Sequence, residues 1–151
     1  MAISDEQLKK GLSAVVGRIK RREPEALLLT AKRLEGIMKR RIFNDGQATG
    51  GSRIGKYKSK SWIKKRSESG RQTNKVDLQF KGDLIRSFKT VRDGDDVVLA
   101  IVNDQDFAKA AGNEKRRKKE IFTPSKQEVV QIEQYFDDII SDIVIQEFLK
   151  I

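Results

Sequence analysis

The sequence predicts a small α+β domain with a long helix at each end. Three features carry that expectation. Apolar residues recur at helical spacing near both ends, an Asp-Gly turn separates two strand-like runs in the second half, and an unperiodic basic stretch lies between. At 151 residues the chain has room for one core. With 37% hydrophobic and 36% charged residues that core must be thin. The expected organisation is one domain, 1–151: a helical region 1–42, a basic Gly-rich loop or arm 43–75, and a hairpin, short helix, strand and C-terminal helix over 76–151.

Ser4 and Gln7 fit a capping box, and Leu8, Leu12, Val15 and Ile19 continue it as an amphipathic helix. Arg21-Arg22-Glu23 interrupts the stripe. Pro24 suits a helix N1 position, and Leu27, Ala31, Leu34, Met38 and Ile42 form a second stripe, so the region reads as two helices or one kinked helix. From Asn44 the chain is Gly-rich and polar. Ser52 to Lys75 then holds nine Lys/Arg against one acid, Glu68, with few large apolar residues, which predicts a segment that cannot fold around its own core.

Order returns at Val76. Arg92-Asp93-Gly94-Asp95-Asp96 is a turn signal, and the run Val97 to Val102 after it is apolar on both faces, as expected of a strand covered by helices or by a neighbouring subunit. Asp104 to Gly112 reads as a short helix and Ile121-Phe122 as a candidate third strand, giving a sheet of two to three strands with one hairpin. Thr123-Pro124-Ser125 with Glu128 starts the last helix, whose expected buried stripe is Val129, Ile132, Phe136, Ile139 and Ile143, with Phe148 as a further candidate.

Charge is unevenly placed. The net +10 is concentrated in residues 1–42 (+6), 52–75 (+8) and 109–119 (+5), while 125–151 sums to −4. Candidate contact residues follow. The basic arm offers Arg53, Lys56, Lys58, Lys60, Lys64, Lys65, Arg66 and Arg71, and a second basic patch offers Lys115, Arg116, Arg117, Lys118 and Lys119. Both are suited to a polyanion or an acidic partner. Asp137, Asp138 and Asp142 are the candidate acidic subunit contact. Tyr57 and Trp62, interleaved with these cations, read either as base-stacking groups or as loop anchors.

Chemistry is narrowed by what is missing. Without His or Cys the chain lacks thiolate nucleophiles, Cys-ligated metals and the usual triad base, and the expectation is no catalytic residue, no metal and no cofactor. Gly50-Gly51-Ser52-Arg53-Ile54-Gly55-Lys56 has P-loop spacing, but Tyr57 replaces the Ser/Thr and no apolar strand precedes it. The clusters Asp93/Asp95/Asp96, Asp104/Asp106 and Asp137/Asp138/Asp142 are explained by a turn, a cap and a polar helix face. The N-terminus shows no signal-peptide pattern, and no apolar run approaches the roughly 18 residues of a membrane span, which predicts a soluble chain made in the cytoplasm without a membrane partner.

A resemblance sharpens the functional expectation. Ile42-Phe43, Gly55-Lys56-Tyr57, Leu78-Gln79-Phe80-Lys81-Gly82-Asp83-Leu84-Ile85-Arg86-Ser87-Phe88, the Asp-Gly turn, Phe107-Ala108-Lys109-Ala110-Ala111-Gly112 and Lys118-Lys119-Glu120-Ile121-Phe122-Thr123-Pro124 occur in that order. The sequence from Ile42 onward thereby resembles a family of tailed-phage tail-completion, head-tail joining or minor tail proteins. The resemblance implies a structural virion protein of the neck or tail, assembled in the host cytoplasm and not an enzyme. Its partners would be itself, as a ring of six, together with neighbouring connector, neck or tail-tube proteins and packaged DNA in the channel. The alternative class is a sequence-independent nucleic-acid-binding protein that neutralises phosphates with its Lys/Arg runs.

Overall fold

The computed structural model describes residues 4–150; the expected domain's first three residues and Ile151 lie outside the described residues. It is α+β, with long terminal helices and a two-stranded antiparallel sheet. Helix α1 spans Asp5–Lys39 and starts on the expected capping box: Gln7 N donates to Ser4 Oγ at 3.3 Å and Ser4 N to Gln7 Oε1 at 3.0 Å. It is one helix, continuous through Pro24. Pro24 and Lys20 both lie on the exposed side of the helix, where solvent rather than a packed neighbour surrounds the interior proline.

A π-helical turn, Arg40–Asn44, ends α1 and buries three consecutive residues, Arg41, Ile42 and Phe43. The chain enters the core there. Helix α5, Lys126–Phe148, begins on the second capping box, with Glu128 N donating to Ser125 Oγ at 3.1 Å and Ser125 N to Glu128 Oε2 at 2.8 Å. It runs antiparallel to α1, because Arg41 meets Glu128 at one end, Arg33 lies over the Tyr135 ring midway, and Arg18 meets Glu147 at the other.

All five N–H donors of buried Arg41 are placed. Nε and Nη2 donate to the Glu128 carboxylate at 2.6 and 3.4 Å, Nη1 to the carbonyls of Gln47 and Ile121 at 3.0 and 3.1 Å, and Nη2 also to Thr123 O at 3.1 Å. One side chain therefore ties the π turn, the following loop, the 121–123 segment and the start of α5.

Strands β1, Phe88–Asp93, and β2, Asp96–Ile101, pair from Phe88↔Ile101 to Asp93↔Asp96. Gly94, at φ 61°, supplies the positive φ of the tight turn. Glu35 of α1 locks β1 by accepting Thr90 N at 2.8 Å while Lys39 Nζ donates to its other oxygen at 2.7 Å. Burial alone would raise the Glu35 pKa, yet these bonds outweigh it and leave the carboxyl below its usual value. Leu99 and Ile101 pack on the core, while Val98 and Val102 stay exposed.

The candidate third strand is not formed. The N–H groups of Ile121 and Phe122 both donate to Glu114 Oε1, at 2.9 and 3.0 Å, and the Ile121 carbonyl goes to Arg41, so side chains take the bonds a ladder would need. Helix α4, Asp104–Arg117, is capped by Asn103 and runs five residues past Gly112, taking up part of the second basic patch before Lys118 ends it at φ 52°. A five-residue helix, α3 (Asp83–Ser87), precedes β1.

The 43–75 segment departs most from expectation. It is ordered against the core and contains helix α2, Lys60–Glu68, capped by Ser59. Ala48, Ile54 and Val76 join Leu34, Met38, Phe43, Phe88 and Ile121 in one buried apolar cluster. A chain reversal puts them there: Ala48 N donates to Ser52 O and Ile54 N to Gly46 O, both at 2.8 Å. Gly46, at φ 62°, is required at the crossing, because a Cβ would lie 2.6 Å from the Val76 carbonyl oxygen.

At the far end of the helix pair, buried Glu147 accepts from Lys150 at 2.7 Å, Arg18 at 2.9 Å and Arg22 at 3.3 Å. Lys150 first, and Arg18 and Arg22 after it, hold the carboxyl down to about 2 against the opposing effect of burial. A depressed carboxylate pKa stabilises the fold fully above its ordinary value near 4.5 and loses that contribution as pH falls toward 2. Glu147→Gln should therefore narrow its stability deficit against the native chain as urea melts are repeated from neutral pH down through this window. A deficit independent of pH would contradict the clamp.

Candidate functional site

Helix α2 has two faces. Lys60 and Lys64 point outward, whereas Trp62 and Ile63 are half-buried and Arg66 is buried at 1% exposure. Arg66, expected among the contact residues of the basic arm, is instead a structural centre. Its Nε donates to Gln72 O at 3.0 Å, Nη1 to the Gln79 carbonyl, and Nη2 to Asp77 Oδ1 at 3.1 Å, while the guanidinium lies 4.4 Å from the Tyr57 ring centroid. Sequence pattern placed it in a run of like cations; the buried carboxylate that draws it inward is eleven residues away.

Asp77 is equally engaged. It also accepts from Tyr57 Oη at 3.1 Å, Gln72 Nε2 at 2.8 Å and Gln79 N at 3.0 Å. Burial raises the pKa of the Tyr57 phenol, which stays a donor. The same turn holds Leu78 at φ 54°, a conformation that costs a branched residue about 1–2 kcal/mol and that the surrounding bonds sustain. Gln79 Nε2 reaches the Phe43 carbonyl at 2.6 Å and so anchors this floor to the π turn.

Over that floor lies a groove of about 580 Å³, continuous through Trp62, Leu78, Phe80, Asn113 and Arg116 with a neighbouring pocket of about 400 Å³. Lys56 and Lys58 line one wall and Arg116 and Arg117 of α4 the other, so the fold brings together two basic segments some sixty residues apart in sequence. Trp62 and Phe80 lie 4.9 Å apart between centroids, tilted by 53°, with Lys65 Nζ over both rings at 5.6 and 5.4 Å. Arg117 packs against Gly55, where a Cβ would meet its Nη1 at 2.5 Å. Lys119 Nζ donates to Arg53 O at 2.6 Å, a second tie between the patches.

The other expected contact residues lie elsewhere. Arg53 and Lys115 are exposed outside the groove lining, Arg71 is half-buried beyond the end of α2, and Lys118, whose backbone forms the α4 C-cap, is exposed outside the lining as well. Asp137, Asp138 and Asp142 are exposed on α5, with Gln134 Nε2 donating to Asp138 at 3.0 Å. Sequence reading missed Phe80, Lys81, Lys109 and Asn113 as lining residues. The available signal was the spacing of Lys109, Asn113 and Arg116 along one helix face.

The Gly50–Lys56 stretch does not build a phosphate loop. Its centre is the tight reversal closed by the Gln47↔Arg53 bridge, Ile54 is buried in the core, and no helix begins until Lys60. Among the described residues no cluster of acidic side chains converges to hold a metal ion, and no helix is long and apolar enough to cross a membrane. The chain matches no protein-family model, no curated protein and no solved structure.

If Arg66 organises the groove floor, truncating it leaves Asp77 buried and uncompensated. Arg66→Ala should cost about 3–5 kcal/mol in denaturant unfolding. Lys64→Ala, two residues away and exposed, should stay within about 0.5 kcal/mol of the native chain. Equal effects from the two substitutions would contradict the assignment.

Proposed function

We propose that this chain is a structural subunit of a tailed-phage neck or tail, in which identical copies form a ring that joins head or connector to tail without catalysis. The observation that carries this reading is an uncovered apolar seam at one end of the helix pair. Helix α1 has 35 residues and α5 has 23, about 52 and 35 Å of helix. Since Glu147 already sits against Arg18, much of the first three turns of α1 reaches past α5. Leu8, Leu12 and Val16 there, and Ile145 and Phe148 on the last turn of α5 with its C-cap Leu149, are 42–82% exposed. Clustered apolar exposure of this kind marks a surface that a partner covers.

Charge supports a second copy as that partner. The outward cations Lys60 and Lys64 of α2 and the outward carboxylates Asp137, Asp138 and Asp142 of α5 lie on separate surfaces of one chain, an arrangement suited to head-to-tail contacts that close into a ring. The resemblance to tail-completion and head-tail joining proteins points the same way and supplies the setting, a virion assembled in the host cytoplasm. The ring's size, six, and its neighbours, connector, neck or tail-tube proteins, come from that resemblance alone.

Single surface pairs contribute only about 0–1 kcal/mol, but a ring repeats each pair at every interface. Sedimentation velocity over a salt series tests the reading. Reversing Asp137, Asp138 and Asp142 to Lys should weaken assembly by about tenfold or more. Asp95→Lys in the hairpin turn should do little, and Leu12→Gln with Leu149→Gln should leave mostly monomer. A native chain that stays monomeric at high concentration, or a triple reversal that assembles like it, would overturn the proposal.

A further inference from the structure

The groove's cations are unmatched. Among the described residues no carboxylate lies within ion-pair distance of Lys56, Lys58, Arg116 or Arg117, and Asp77 beneath the floor is occupied by Arg66 and three other donors. Arg116 and Arg117 find only the Gly112 carbonyl and the Asn113 side chain, at 3.3–3.5 Å. Burial first, and the adjacent Arg116 charge second, lower the Arg117 pKa, the mark of a cation held where an anion would relieve it. The apolar part of the site sets the aromatic rings of Trp62 and Phe80, half-buried and lining both pockets, beside the aliphatic side chain of Leu78.

From these features we infer that the groove binds single-stranded nucleic acid, with Lys56, Lys58, Arg116 and Arg117 on the phosphates and bases stacked on the Trp62–Phe80 pair. The inference does not depend on the ring. Cationic walls around an aromatic floor are the arrangement that tracks a strand irrespective of its sequence. Recognition is sequence-independent because the principal polar groups of the floor bond within the chain: each of the three Arg66 nitrogens donates there, as do the Gln72 amide and the Gln79 amide nitrogen. A duplex keeps its bases stacked on each other and reaches only the rim, and an acidic peptide gains the charge contacts without the stacking.

Trp62 is the only tryptophan, so its fluorescence reports on the groove directly. Titrating the native chain with oligothymidylate of about 12 nucleotides should quench it, and the affinity should fall with salt at a log–log slope of roughly −3 for four neutralised phosphates. A duplex of equal length and a polyglutamate of equal charge should each bind at least about tenfold more weakly. Arg116→Glu with Arg117→Glu should weaken oligothymidylate binding by at least about tenfold, and Lys56→Glu with Lys58→Glu, on the opposite wall, should do the same.

Lys60→Glu with Lys64→Glu makes the same change of net charge on the outer face of α2 and should alter affinity by no more than about twofold. Circular dichroism of each variant confirms the fold, and with two wall variants one misfolded protein does not remove the test. Equal losses from the outer-face and wall variants would reduce the binding to net charge and overturn the site. Tighter binding of duplex or polyglutamate than of oligothymidylate would overturn the ligand assignment. Sedimentation of the same samples keeps a loss of assembly distinct from a loss of binding.

Discussion

Two buried guanidinium groups hold together what this sequence cannot hold by apolar packing alone. Arg41 binds the π turn, the loop after it, the 121–123 segment and the start of α5, and Arg66 binds α2, the 72–79 turn and the Tyr57 ring. Each meets one buried carboxylate and several backbone carbonyls, so the positive charge is neutralised and otherwise orphaned acceptors are satisfied together. A buried ion pair is weak evidence of net stability against a hydrophobic replacement. Its contribution here is geometric. A planar fork with fixed donor directions admits few alternative arrangements of the segments it joins.

That constraint turns a strongly basic stretch into a surface. With Arg66 inward, the helical period sends Lys60 and Lys64 outward and leaves Trp62 on the groove side, while Gln79 ties the floor to Phe43 and thus to the α1–α5 frame. Helix α4 supplies the other wall because the Glu114 carboxylate and Lys119 fasten its end to the 121–122 segment and to Arg53. The outcome is three separated surface features on one chain: a basic aromatic groove, an acidic helix face and an apolar seam. The proposed ring uses the seam, the acidic face and the outward cations Lys60 and Lys64 of α2, and the inferred strand site uses the groove, whose lining includes neither lysine, so the two do not compete for the same side chains.

The parts legible in the sequence were those specified by residues close together in the chain. Ser4 with Gln7, Ser125 with Glu128, and Gly94 between two apolar runs act within a few positions, and each element begins or turns where they put it. Pro24 was ambiguous because its effect depends on whether Lys20 faces solvent, a tertiary fact. Arg66 was read as a surface contact, and the role of Arg41 was not seen, because their partners, Asp77 and Glu128, are 11 and 87 positions away and a charge count does not pair residues. Ile121-Phe122 had strand composition but no edge to join, since Glu114 and Arg41 took its backbone groups. Of the site, the two basic patches were visible as runs; their meeting across one groove, and the part played by Phe80, were not.

Backbone amide exchange in the isolated native chain tests the central claim most directly, because it asks whether the basic segment is folded before any partner arrives. The bonds of α2, together with Arg71 N to Arg66 O and Val76 N to Gly55 O, both at 2.9 Å, predict protection across Lys60–Glu68 and at Arg71 and Val76 comparable to that of α4. Rapid exchange throughout 52–75, with protection confined to the terminal helices and the hairpin, would make the segment a mobile arm and contradict the account.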